Sequence, residues 1–500
     1  MAPPVFAGSF YVAPSGSDSA AGSEAAPWGT LGNALLNTGP GDTVYLRQGT
    51  YAEAVEMRGD PGNRFGHTMG GSATATWTLS AYPGETATLT ASFSAYSIQY
   101  SRLQNLTFEG GAQLSVGTAD WVTPSGDRSH HVEISGNTFS GAQVQYGFIE
   151  AMFDNSLIEG NTVTVGAGGG NLDHGIYLHN GDGNVVRGNV VSGAAAYCLH
   201  VYDERKHPTD PQTFFRNVVI ENNALSGARS HAGLIISQGG DTRVEGVLVR
   251  NNVLVGNAQA GIDLTNYGSE TMSGIKIYGN TIDGSSDGIL IGNNNVTASE
   301  IKNNLIRVSG AHLNQENAGA TGLAVADNLY SPSPAALVNI TDSNPVVGDP
   351  AFAGAGDYHL TAGSAAIDQG LTLSDVPADK DGKARPIGAA YDLGAYEFGA
   401  GMLFDGGTPD AGGVSADGGT AADAGATIDG GATVDGGTPG DGGASADGGA
   451  SGELSDAGSG PPTAAGSCGC ASAALPAGFS LGVSYLLIRV ARRRRRAQSV

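Results

Sequence analysis

The phrase ISGNTF, Ile134 to Phe139, decides the fold because it is rewritten seven more times: IEGNTV at 158–163, VRGNVV at 186–191, IENNAL at 220–225, VRNNVL at 249–254, IYGNTI at 277–282, IKNNLI at 301–306 and VADNLY at 325–330. Its asparagines are Asn137, Asn161, Asn189, Asn223, Asn252, Asn280, Asn304 and Asn328, so the steps between them are 24, 28, 34, 29, 28, 24 and 24 residues. A floor with variable excess describes one coil plus insertions. An apolar residue three places before the Asn and another two places after it fit a strand, a tight corner and a second strand. Asn suits such a corner because it tolerates the left-handed backbone region and can bond its own backbone. Stacked coil on coil, the side chains would form an amide ladder.

A second phrase falls between the asparagines: GFIEA from Gly147, GIYLH from Gly175, AYCLH from Ala196, GLIIS from Gly233, GIDLT from Gly261 and GILIG from Gly288. Short strands bounded by Gly or Asn, repeated at this period, predict a parallel solenoid whose coils cannot bury their apolar faces alone. The pattern resembles the right-handed parallel β-helix superfamily, of pectate-lyase-like type, from about Tyr11 to Phe398. The expected fold class is all-β: a right-handed parallel β-helix with a short N-terminal cap helix, a disordered acidic Gly/Asp-rich linker and a C-terminal apolar helix.

The chain divides into 1–60 (cap and first coil), 61–343 (β-helix), 344–398 (closing segment), 399–467 (linker) and 468–500 (sorting and membrane segment). The stretch from Phe10 to Tyr51 resembles the opening of exported β-helix proteins, polysaccharide lyases among them. In it Trp28, Leu31, Leu35 and Leu36 form one apolar side of a short helix that caps the solenoid. The N-terminus has no basic residue followed by an apolar run, so no signal peptide is expected as written, and the true start is expected upstream. The text NPVVGDPAF to YDLGAYEF resembles a choice-of-anchor Q segment and is expected to close the C-terminal end.

From Gly399 to Ser467 there are ten acids and no Lys or Arg. Such a chain is extended and disordered. Beyond it come Cys468 and Cys470, 18 uncharged residues from Ala471 to Ile488, and RVARRRRR. This ending resembles a myxobacterial C-terminal sorting signal, which implies export, anchoring through Cys468 or Cys470, and partners in a membrane and a sorting machinery. A plain tail anchor is the alternative. Lys plus Arg 24 against Asp plus Glu 48 gives a net charge of −24, which argues against nucleic acid. Three Cys cannot make a disulfide framework. A monomer is expected.

Alternation along a strand sorts the second phrase into faces. Apolar residues at the first and third places after Gly point inward, so the second and fourth point outward. Those are Tyr177 and His179 on one coil, then Cys198 and His200 on the next, with Tyr202 two places on. This alignment puts His179 and His200 in register, about 4.8 Å apart along the stack, and gives Asp263 the Tyr177 position two coils later. Five of the ten histidines lie between 174 and 231, a window with five acids and five bases inside a strongly acidic protein. The longest step, ten residues above the floor, has its excess after His200, in VYDERKHPTDPQTFF, and loops thrown out from a rigid solenoid are where sites are built.

The resemblance to polysaccharide lyases implies a uronate-containing polysaccharide and β-elimination. That chemistry needs a base for the C5 proton, an acid for the leaving oxygen and a cation for the carboxylate. Tyr177, His179, His200, Tyr202 and Lys206 are the candidate catalytic residues; Arg205, His207 and Asp263 are candidates for substrate binding. No cofactor is required by this set. Calcium, as in calcium-dependent β-helix lyases, would fall to Asp203, Glu204 and Asp210, whose spacing matches no binding motif. A glycosidase would need a carboxylate pair, and the Asp-Asp and Gly-His-Gly signatures of polygalacturonases are absent. A non-catalytic adhesion protein would use the same outward face with no tuned residues.

Overall fold

The computed structural model describes residues 7–60, 68–117, 128–202, 214–239, 243–265, 267, 271–292, 296–316 and 321–399. Every coil supplies strands to three parallel sheets. Among the described residues the first sheet has eleven strands, running from Val55–Arg58 through Ile149–Ala151, Ile176–Leu178, Leu199–Val201, Leu234–Ile236 and Ala260–Asp263 to Leu337–Val338. The third sheet has twelve, from Gly49–Tyr51 to Val346–Val347. In the second sheet several coils contribute two short pieces, such as Phe153–Asp154 and Leu157–Glu159 around Asn155 at φ 48°. The expected all-β parallel β-helix is therefore what the chain forms, and stacks of Ile, Val, Leu and Phe fill it, including Phe108 on Phe139 with centroids 4.6 Å apart.

The corner between the second and third sheets carries the ladder. Asn137 Nδ2 donates to Asn161 Oδ1 at 3.0 Å, and the same bond recurs at 2.9 to 3.0 Å through Asn189, Asn223, Asn252, Asn280, Asn304 and Asn328. Each Oδ1 also accepts the backbone N–H of the preceding ladder residue, as Asn252 Oδ1 does from Asn223 at 2.9 Å. The ladder ends on a carboxylate: Asp342 Oδ2 accepts from Asn328 Nδ2 at 2.8 Å and from the Tyr330 hydroxyl at 2.7 Å. The left-handed residue of the corner is not the ladder Asn, as expected, but the one before it. Gly136, Gly160, Gly188, Asn222, Asn251, Gly279, Asn303 and Asp327 have φ between 53° and 63°. That leaves the ladder residue in ordinary backbone, with its amide turned inward to bond buried main chain.

The cap helix spans Leu31–Asn37, and the Thr30 side chain accepts from Asn33 N at its start. Leu31, Ala34 and Leu35 are buried, but Leu36 is 46% exposed, contrary to expectation. Leu31 and Leu35 are one turn apart on one stripe, whereas Leu36 is rotated a further 100° or so.

The segment from 344 on does more than close the end. It adds a strand to the third sheet at Val346–Val347 and then runs back along the ladder corner as a strap. Leu371 N donates to Asn303 Oδ1 at 3.0 Å, Ala395 N to Thr281 Oγ1 at 3.0 Å, Asn251 Nδ2 to Ala378 O at 2.8 Å, and Lys380 Nζ to Asn222 O. The buried pair Arg385–Glu397, 2.7 Å apart, ties the strap to itself. Its apolar side covers the third sheet, where the outward residue after the ladder Asn changes from exposed Thr138, Thr162 and Val190 to buried Thr281, Leu305 and Leu329. Among the described residues no helix is long and apolar enough to cross a membrane; residues 400–500, with Cys468, Cys470 and the apolar stretch, lie outside them.

Candidate functional site

Backbone register on the first sheet corrects the alignment read from sequence. Ile176 pairs with Leu199, Tyr177 with His200 and Leu178 with Val201, so His200 follows Tyr177, not His179, and Tyr202 falls in line with His179. The outward column runs Ser115, Glu150, Tyr177, His200, Ile235, Asp263, Leu290 and Asn314. Asp263 shares the Tyr177 column as expected, but three coils on rather than two. Cys198 is not outward: it occupies the column of Gly175, is buried in the core, and bonds Ser226 O through Sγ at 3.3 Å. A Cβ at Gly175 would lie 2.4 Å from Val191 Cγ1, which is why that column favours glycine.

The outward side chains are not solvated decorations, because their rings cover one another. His200 is 8% exposed, His179 3% and Tyr177 8%, while Tyr202 is half-buried. Tyr177 stacks on His179 with centroids 3.7 Å apart and meets His200 at 4.5 Å. Tyr202 stacks on His200 at 5.2 Å. A neighbouring row adds His174, 3.9 Å from His200, and Tyr197, stacked on His200 at 5.0 Å and on His231 at 4.9 Å. Glu150 orients His179 through Oε1 and Nε2, 3.1 Å apart. Thus Tyr177, His179, His200 and Tyr202 come together, and His174, Tyr197 and His231 join them.

Burial sets the charge state of this cluster. Desolvation pushes the His174 imidazole down to about 3 and His200 well below the ordinary histidine range, and the neighbouring histidines add to both shifts. Both rings are therefore neutral at physiological pH. Their Nδ1 atoms are buried without a hydrogen-bond partner among the described residues, a rare and costly state. Asp263, 1% exposed, has its carboxyl pushed up to about 6 by burial, although Thr265 donates to Oδ1 from N at 2.8 Å and from Oγ1 at 2.5 Å. Tyr197 and Tyr267 are hydrogen-bonded side chain to side chain, and burial raises both phenols.

Asp203, Glu204, Arg205, Lys206, His207 and Asp210 lie outside the described residues. Imidazoles and phenols suit calcium poorly, since it takes oxygen ligands from carboxylates and carbonyls. Among the described residues no group of three His, Cys, Asp or Glu is arranged to hold a metal ion. The reading of the sequence named no site role for Glu150, His174 or His231 and missed Tyr197, which its alignment on Ala196 turned inward, and Tyr267, which lies outside the repeated phrases. Tyr197 lies three places before His200, as His174 lies three before Tyr177, and that offset was the available signal.

With this geometry in hand, similarity to known proteins becomes informative. Residues 10–283 match the family described as Pel9A-like, right handed beta helix region. The crystal structure of pectate lyase Pel9A superposes with a TM-score of 0.57 at 16% identity, covering 78% of this chain and 96% of that one, a likeness of fold. Pectate lyase PEL9 of Emericella nidulans is 40% identical over 83 residues, which is 17% of this chain. The chain spans only 18% of the length of that curated relative.

Proposed function

Because the chain belongs to the Pel9A-like right-handed β-helix family, we propose that it acts on a uronate-containing polysaccharide and cleaves it by β-elimination on the outer face of the first sheet. The observation that carries this reading is the cluster of neutral, buried imidazoles around His200, whose Nδ1 has no hydrogen-bond partner among the described residues. A neutral imidazole keeps a lone pair for a proton, and burial removes competition from water.

In the proposed step His200 takes the C5 proton of a uronate unit. The released electron pair forms the C4–C5 double bond, the C4–O4 bond breaks, and the Tyr202 hydroxyl protonates the leaving oxygen. Tyr177 and Glu150-bound His179 hold His200 in place. Arg205 and Lys206 supply the positive charge for the carboxylate, with His207 beside them and Lys206 as an alternative base. If calcium takes part, its ligands come from Asp203, Glu204 and Asp210. We further propose that the protein is exported and held at the cell surface by the segment after 399, through Cys468 or Cys470 and the apolar stretch.

Incubation with polygalacturonate should release unsaturated product, seen as rising ultraviolet absorbance, and His200→Gln should abolish it. Tight binding of the polymer with no product from the parent protein would replace the lyase by an adhesion protein.

A further inference from the structure

Two coils beyond His200 the same outward column reaches Asp263, about 10 Å along the stack. Tyr267 stands beside it, and its two ends behave differently. The hydroxyl is tied to Tyr197 and the ring meets Tyr202 edge-on at 6.1 Å, yet the residue is 63% exposed. A phenol anchored by its polar tip and open on its ring is a platform for the C–H face of a sugar.

The floor beside this platform is selective by charge. Asp263 is buried, its carboxyl is bonded only by Thr265 among the described residues, and the charged group that acts on it is another acid, Glu316. Among the described residues no cation is one of the groups shifting it. Charges at short range in a poorly hydrated site interact far more strongly than in water. A free uronate carboxylate seated here would face Asp263 and Glu316, with no cation among the described residues to offset them. A methyl ester or a neutral sugar would meet no such repulsion.

We propose that the sugar unit over Tyr267, next to the reactive cluster, is uncharged: a neutral sugar or an ester-capped uronate. The preferred chain would then be partly esterified or mixed, with a free uronate at His200 and an uncharged unit two coils on. This inference rests on the reading of the site as one for a uronate polymer.

Calorimetric titration of His200→Gln, which blocks turnover, with galacturonan oligomers of equal length tests it above the Asp263 titration. The methyl-esterified oligomer should bind about tenfold tighter than the free acid. Asp263→Asn in the same background should bring the two within about threefold. Tyr267→Ala should weaken binding of the esterified oligomer, with the ultraviolet circular dichroism unchanged. If Asp263→Asn does not fold, the exposed Glu316→Gln takes its place and should narrow the gap by about twofold. Equal affinity for both oligomers, or a gap that Asp263→Asn or its replacement leaves unchanged, overturns the inference while leaving the uronate site standing. Binding of neither oligomer overturns both.

Discussion

His200 is the backbone partner of Tyr177 on the following coil, and the two rings meet at 4.5 Å with 34° between their planes. The proposed base and the packing of the cluster therefore rest on the same ring. His200→Gln should lower turnover by a factor of about 100 to 10,000, the usual contribution of a positioned acid or base. It should also cost roughly 1 to 2 kcal/mol of stability, because the ring is buried against four others. A turnover assay and a denaturant melt on one sample check both. A fully active variant would remove His200 from the chemistry.

Stability should fall on acidification. An unfolded histidine titrates near about 6.5, whereas His174 in the fold is held down at about 3 and His200 is also well below its ordinary value. Between these values the unfolded chain binds protons that the folded one refuses, so the stabilisation is complete above about 6.5 and is lost as pH drops. Asp263, raised to about 6, acts in the opposite sense: its contribution is full below the unfolded carboxylate value near about 3.9 and fades as pH rises through 6. Two imidazoles outweigh one carboxyl. Melting temperature should decline from about pH 7 to pH 5, and His174→Gln should flatten the slope.

Replacing Asn252 with Leu removes the acceptor of Asn223 N and Nδ2 and the donor to Asn280 Oδ1 and Ile220 O, all at 2.9 Å. Buried main-chain groups are left unpaired, so the cost should be about 2 to 4 kcal/mol. Asn251→Gly, at the adjacent left-handed position with φ 53°, should cost less from backbone strain but lose the bond to Ala378 O. Chemical denaturation of the pair separates ladder from corner.

Glu397→Gln should free the strap rather than unfold the β-helix. Arg385 and Glu397 have side chains 1% and 0% exposed, and an Arg left without its acid in such a place costs about 3 to 5 kcal/mol. Limited proteolysis should then cut within 344–399 while the coils before it resist. Simultaneous loss of all protection would show that strap and coils form one cooperative unit.

The asparagine phrase made the corners, the coil period and the parallel solenoid legible, because buried main chain at a fixed corner admits few side chains; that each coil feeds three sheets came from the structure. The register of one coil was not legible. The column occupied by Gly175, Gly233, Gly261 and Gly288 holds Cys198 in the coil of His200, and alignment on the nearest small residue, Ala196, fell two places early. The path of the strap was also hidden, since irregular chain bonds wherever groups happen to face it. A trace of it existed all the same: the residue after the ladder Asn turns to leucine at Leu305 and Leu329, where the third sheet is covered. In the site, Tyr177, His179, His200 and Tyr202 were found by alternation, while Tyr197 and Tyr267 reach the cluster from connecting segments whose direction no periodicity predicts.

The strap has a mechanical meaning. It lies on the corner joining the two sheets that do not carry the His–Tyr cluster, and Phe398, near its end, packs on the cluster that contains Leu305 and Leu329 of the third sheet. The strap's bonds are spread over four successive corners, at Asn222, Asn251, Thr281 and Asn303, so a pull at Gly399 would not fall on the terminal coil alone. If the protein is displayed as proposed, drag from a polymer on the first sheet would be shared by several coils.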